Sequence, residues 1–296
     1  MDTTDQQPPK ESNGAPNFEL PGQPAPQQKH QRYGGGKGQD KTRRGSKPFR
    51  LWERPALSLQ TTTLWEYPSQ HYGTGEQGSK HYAGATPSWV IWNVLKRYTQ
   101  EGDTVVDPMC GSGTTLDVCK DLSRKGIGYD LAPARADIEQ ADSRSIPLKS
   151  ESAHCVFVDP PYSTHLEYSK DPRCIGKLEA GGGKYYRAME KSIAEMARVL
   201  KKDGHLALYV SDSFKKGKPF QPLGFELYGL MRKAGLYAVD IICVVRQNHK
   251  LDQGNWHAAA ESGNFFLRGF NYLLLFRKPN PQAAAKREKL PEFLNS

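Results

Sequence analysis

At 296 residues the chain is long enough for one large α/β domain or two small ones. Its formal net charge of +9 favours a polyanionic partner such as nucleic acid, although a charged tail alone would give the same balance. No apolar run approaches the roughly 18 residues that span a bilayer, and the start, Met1-Asp2-Thr3-Thr4-Asp5, lacks the basic and apolar segments of a secretion signal. The five scattered cysteines contain no Cys-x-x-Cys pair, which argues against a zinc site and against a disulfide framework. A cytoplasmic protein without membrane or metal is the expectation.

In chain order, residues 1–50 come first, rich in Gln, Pro, Gly, Lys and Arg and poor in aliphatic side chains. Such a composition cannot bury enough apolar surface to offset its ordering entropy, so a disordered arm is predicted. Residues 29–50 hold eight Lys and Arg against one acid, Asp40, which suits either phosphate contact or a solvated tail. Residues 51–278 read as the folded domain, and residues 279–296 as a flexible tail. Within the domain, the aromatic stretch of residues 63–72 together with Tyr82 reads as a lid over a site or as cover for a sheet edge. Thr86-Pro87 predicts a helix start, with threonine capping and proline at the first helical position.

Beyond this the chain alternates short apolar runs with helical patterns, which predicts a mainly parallel, doubly wound α/β sheet of Rossmann-like type. Strands are predicted at residues 104–107, 126–130 and 155–159, with a helix at 114–122 between the first two. A helix over 185–200 carries Met189, Ile193, Met196 and Leu200 on one face and leads through a turn at 201–204 into a strand at 205–210. A further helix, 225–234, ends at Gly235, where glycine suits the cap. Two late strands, 237–245 and 271–276, joined by a loop with no helical pattern, predict an antiparallel hairpin at one sheet edge.

Asp107-Pro108-Met109-Cys110-Gly111-Ser112-Gly113-Thr114-Thr115 falls where the first strand turns into a helix, the position at which open α/β sheets bind ligands. Gly111 and Gly113 let backbone approach a ligand closely. The loop lacks the Gly-Lys-Ser/Thr of a phosphate loop and the third glycine of a dinucleotide fingerprint. A ligand with carboxylate, ammonium and sulfonium groups suits it better, with Asp107 accepting from the ammonium. Asp130, 23 residues beyond Asp107, closes the second strand where an acid can hold ribose hydroxyls. Asp142 is similarly placed for an adenine amino group.

Asp159-Pro160-Pro161-Tyr162 stands 52 residues after the start of the glycine loop, behind an apolar strand. An exocyclic base amine is a poor nucleophile until its N–H groups are held by acceptors and a proton can leave. Asp159 and the Pro160 carbonyl can serve as those acceptors. The prolines stiffen the turn, and the Tyr162 ring can stack on an extruded base.

The glycine-loop and Asp-Pro-Pro-Tyr segments together resemble the DNA N4/N6 amino-methyltransferase family of class I S-adenosylmethionine-dependent methyltransferases, with Met109 in place of the usual Phe. The resemblance is good over residues 86–210 and general elsewhere. It implies a seven-stranded sheet, mostly parallel, and S-adenosylmethionine as cofactor. By resemblance Asp107, Gly111, Ser112, Gly113 and Thr114 take the methionine part, Asp130 the ribose and Asp142 the adenine, with Thr86 in a more loosely matched preceding segment. The aspartate form of the catalytic motif is more typical of adenine N6 than of cytosine N4 and also occurs in enzymes methylating guanine N2 in RNA. DNA is therefore the expected substrate ahead of tRNA or rRNA; the rivals are a non-catalytic cofactor- and nucleic-acid-binding module and, more remotely, a dinucleotide oxidoreductase. Target recognition would fall to two short loops. Residues 163–184 include His165, Tyr168 and Arg173, and residues 246–268 include His249, Trp256 and His257.

Overall fold

The computed structural model describes residues 53–79, 82, 84–162, 166–213, 219–246 and 254–282. The predicted arm, most of the predicted tail, His165 and His249 lie outside the described residues.

The chain builds one eight-stranded sheet from β1 (Leu64–Trp65), β2 (Thr104–Asp107), β3 (Lys125–Asp130), β4 (Ile138–Gln140), β5 (Ala153–Val158), β6 (Leu200–Val210), β7 (Tyr237–Val245) and β8 (Phe270–Arg277), in the order β1-β7-β8-β6-β5-β2-β3-β4. Among the described residues five α-helices accompany them: α1 (Ser88–Tyr98), α2 (Thr114–Asp121), α3 (Lys184–Val199), α4 (Leu223–Lys233) and α5 (Gly254–Ser262). Strands β2 to β6 pair in parallel, and β8 runs antiparallel between β6 and β7. The expected doubly wound α/β architecture is therefore present, with eight strands among the described residues where the resemblance implies seven, the short β1 being the addition.

Successive strand residues point to opposite faces, so each strand feeds two cores. Val105, Cys155, Phe157, Ala207 and Leu275 pack with Trp89, Val90 and Val94 of α1 and Val118 of α2. Their neighbours Val106, Val156, Leu206, Leu208 and Phe276 pack with Met189, Ile193 and Met196 of α3 and Leu227 and Met231 of α4. Runs such as Cys155-Val156-Phe157-Val158 are continuously apolar because both faces are covered.

Four details differ from expectation. The two-residue β1 adds in parallel to β7, so the β7–β8 hairpin lies one strand in from the edge; of the aromatic stretch, Trp65 and Tyr67 pack into the core beside that edge, while Tyr82 lines a cleft instead. The β7–β8 connection contains α5, none of whose residues is buried; without a core-facing stripe it leaves no periodic signal. The turn expected at residues 201–204 is an excursion within β6. Ala153 pairs with Leu200 and Cys155 next with His205, while Asp203 takes φ +65° and its carboxylate pairs with Arg277. Finally, α1 begins at Ser88 with Pro87 in the cap position and no side-chain capping bond. Thr86 does not cap it, because its hydroxyl is spent elsewhere.

Candidate active site

The strand order places a cleft. From β2 the chain proceeds to β3 on one side, while β5 lies on the other, making this a switch point where open sheets leave a crevice beyond the strand ends. Val106 stands level with Val156 and Asp107 with Gly128. Asp159 and Asp130 therefore emerge about two residues beyond the level of Asp107, roughly 7 Å further along the sheet. Asp142 follows the end of β4, whose Gln140 is level with Asp130. The result is four carboxylates at the ends of four adjacent strands, all lining one cleft of about 860 Å³ counted out to open solvent.

The loop after β2 is fixed by its own backbone. Gly111 (φ +51°) donates its N–H to Asp130 Oδ2 at 2.9 Å, and the Cys110 N–H reaches the Tyr129 carbonyl at 2.9 Å. A Cβ at Gly111 would lie 3.0 Å from the Tyr82 ring, and one at Gly113 (φ +82°) 2.7 Å from the Arg135 guanidinium. Arg135 in turn bonds Asp117 Oδ2 at 2.8 Å, on the first turn of α2, and pairs with Asp137. Asp107 is buried and accepts from the Thr115 hydroxyl at 2.5 Å and the Met109 N–H at 3.1 Å. Burial dominates those bonds and pushes its pKa up to about 7. Ser112 and Thr114 also line the cleft, their hydroxyls 3.2 Å apart.

Asp142 is more heavily engaged than its expected role required. Arg144 forks onto both oxygens, Nε to Oδ1 at 2.8 Å and Nη2 to Oδ2 at 2.6 Å, and its backbone N–H adds a third bond. Burial alone would raise this carboxyl, but the Arg144 bonds hold it below the usual range. With about four acceptor sites per carboxylate, one position is left for a further N–H.

Asp159 is half-buried at the other end of the cleft. Thr86 donates its hydroxyl to Oδ2 at 2.5 Å and Tyr162 donates to Oδ1 at 2.6 Å. Burial raises its pKa to about 7 against the lowering effect of those two bonds. Tyr162 was expected as a stacking ring; in the structure its hydroxyl orients the carboxylate, its ring packs on the core, and Asn271 Nδ2 stands 3.4 Å from its oxygen. Pro160 is buried, and the next carbonyl, of Pro161, accepts from the Tyr185 hydroxyl at 2.8 Å. Thr86 thus joins the two predicted groups, lining the cleft while holding the catalytic-motif carboxylate.

Several residues at the site carried no usable signal in the sequence. Arg135, Arg144 and Asn271 are unremarkable in their local context and become significant only through partners elsewhere in the chain. Tyr168, Ser169, Cys174 and Ile175, from the first expected recognition loop, line the cleft instead of standing clear of it. The Arg173 carbonyl of that loop accepts from Arg144 at 2.9 Å. Among the described residues, no helix is long and apolar enough to cross a membrane, and no group of three or more His, Cys, Asp or Glu side chains could hold a metal ion.

A doubly wound sheet of this strand order, with a glycine turn at its switch point, defines the class I methyltransferase fold. A family model described as DNA methylase, of the N6/N4 type, matches residues 15–141 and 153–294, and the chain belongs to that family. The type II methyltransferase M.HpaI of Haemophilus parainfluenzae is 36% identical over 70 residues, 24% of this chain and 22% of that one. M.MthZI of Methanothermobacter thermautotrophicus is 24% identical over 187 residues, 59% of this chain and 48% of that one. The matched segments thus span less than half the length of these curated relatives. Among solved structures, a geranyl diphosphate C-methyltransferase from Streptomyces coelicolor A3(2) aligns with a TM-score of 0.43 and 12% identity, over 65% of this chain and 76% of that one.

DNA methylases take their methyl group from S-adenosylmethionine, and the cleft fits that cofactor. Buried Asp107, held at its raised pKa, would regain a charge partner from an ammonium. Gly111 and Gly113 already crowd Tyr82 and Arg135, leaving no room for side chains. Among the described residues, those lining the cleft bring carboxylates and hydroxyls and no Lys or Arg, which suits a cationic ligand with hydroxyl groups better than a phosphate.

Proposed function

We propose that the chain methylates an exocyclic amino nitrogen of a DNA base, adenine N6 ahead of cytosine N4, using S-adenosylmethionine. The observation that carries this reading is the Asp159 carboxylate, held by two hydroxyls in the same cleft as the glycine loop. Thr86 and Tyr162 each occupy one acceptor site per oxygen, leaving others for the N–H groups of an amine. With the Pro160 carbonyl as second acceptor, Asp159 would draw those N–H bonds aside and turn the nitrogen lone pair toward the donor. A pKa near 7 suits a group that must be ionised to accept yet able to receive a proton.

The cofactor supplies an electrophilic methyl group on a sulfonium. Asp107, Gly111, Ser112, Gly113 and Thr114 would hold its amino-acid end and Asp130 its ribose, with the remaining acceptor site of Asp142 on the adenine amine. The order of preference between bases rests on the aspartate that opens the catalytic motif. The reading places catalysis in residues 51–278, with the basic segment of residues 29–50 contacting phosphates non-specifically.

The test is Asp159→Ala with labelled cofactor and unmethylated genomic DNA, followed by nucleoside mass spectrometry. The parent should yield N6-methyladenine. The variant should lose transfer by at least ~10³-fold while cofactor affinity stays within a few-fold. Transfer at the parental rate by the variant would remove Asp159 from the chemistry, and N4-methylcytosine from the parent would reverse the order of bases.

A further inference from the structure

Phe266 is 84% exposed, the most exposed large apolar side chain among those described. It sits in a shaped turn. Asn264 takes φ +48°, and the N–H groups of Gly263 and Phe265 close back onto the Ala259 and Ala260 carbonyls at 2.9 and 3.0 Å. Arg268 Nη2 donates to the Phe266 carbonyl at 3.1 Å while its guanidinium lies 5.1 Å over the Phe220 ring. The backbone carrying Phe266 is thus tied on both sides, and its ring is displayed to solvent by construction.

The place of display matters. Val210, the last residue of β6, is level with Tyr272. Residues 263–270 therefore rise beyond the carboxyl ends of the parallel strands, on the rim that carries Asp159. Phe266 and Asn271 are five positions apart, no more than about 18 Å of extended chain, and Asn271 contacts the Tyr162 hydroxyl that holds Asp159. Phe220 and Phe270, 45% and 39% exposed, belong to the same rim, and the Arg246 N–H meets the Gly269 carbonyl at 2.9 Å. Aromatic faces interleaved with Arg246 and Arg268 suit stacked bases and phosphates together.

We infer that Phe266 is an apolar wedge that enters the base stack of duplex DNA and fills the space left when the target base turns into the cleft. An amino group inside a duplex cannot reach Asp159 unless its base leaves the stack, which costs unpairing and unstacking. Proteins that unstack a step do so by inserting apolar side chains such as Phe. A ring displayed on a tied loop beside the cleft supplies that group, and the flanking arginines take the phosphates. The inference rests on the reading of the chain as a DNA base methyltransferase.

The experiment uses the full chain, labelled S-adenosylmethionine and native unmethylated genomic DNA. Phe266→Ala is expected to lower kcat at least about tenfold, because unstacking is no longer compensated, with KM for DNA within about threefold. Phe266→Leu, which keeps apolar bulk, should stay within about threefold of the parent in kcat. Both variants should bind labelled cofactor in equilibrium dialysis with the parental Kd. An alanine variant that turns over like the parent overturns the wedge, as does an equal loss in both variants or a loss of cofactor binding. No transfer by the parent itself would instead overturn the methylase reading beneath it.

Discussion

Asp159 sits between opposing influences, burial raising its pKa and the Thr86 and Tyr162 hydroxyls lowering it, with a balance near 7. The ionised form is the acceptor, so the sign follows. Below that pKa the carboxyl is protonated and kcat/KM should fall; above it activity should be complete. Removing a donor leaves the charged form less stabilised. Thr86→Val should therefore move the acid limb of the kcat/KM profile to higher pH, and Tyr162→Phe should move it the same way. A hydrogen bond to a charged group is worth about 1.5–3 kcal/mol, so a displacement of roughly one to two pH units is expected. A profile unchanged in Thr86→Val would show that its hydroxyl does not govern the carboxylate. The motif itself is legible in the sequence, but neither bond is: Tyr162 lies three residues from Asp159 yet reads as a stacking ring, and Thr86 lies 73 residues away.

At the scale of elements, the segment before α1 is strapped across α2. The Gly78 N–H donates to Asp117 Oδ2 at 2.7 Å, and the Tyr72 hydroxyl to Asp121 Oδ2 at 2.7 Å. Gly78 has φ +73°, and a Cβ there would overlap the Thr114 hydroxyl and stand 2.6 Å from that of Ser112. Gly102 shares the left-handed backbone, at φ +80°, but has nothing within 4 Å of a Cβ. Alanine at either position costs about 1–2 kcal/mol of backbone strain, or roughly 2–8 °C in Tm for a domain of this size. Only Gly78→Ala should also displace Thr114, and it should weaken cofactor binding about tenfold or more in equilibrium dialysis, while Gly102→Ala leaves affinity at the parental value. Equal affinities in the two variants would separate the strap from the cofactor loop.

For the molecule as a whole, the charge balance bears on DNA affinity. Residues 29–50 contribute eight Lys and Arg. Each phosphate neutralised on duplex DNA adds about −0.9 to the slope of log K against log salt. A chain lacking residues 1–50 should bind DNA more weakly at low salt, with a slope shallower by several units, and its cofactor affinity should not change. An unaltered slope would take the arm out of the DNA interface.

The sequence by itself determined the strands and helices with a core-facing side, the glycine turn, Asp130 and Asp142 at strand ends, and the Asp159–Tyr162 motif. Each of these is a local pattern, set by side-chain periodicity or by residue types that a turn or a reaction demands at fixed spacing. The tertiary structure decided which distant groups complete the site: Thr86 and Tyr162 on Asp159, Arg144 on Asp142, Arg135 over Gly113, and Asn271 arriving from β8. It also decided that β1 covers the edge and that α5 interrupts the hairpin. Strand order joins residues that are 73 or 109 apart in the chain, and no local pattern encodes that order. An exposed helix such as α5 buries nothing, so it writes no apolar period into the sequence.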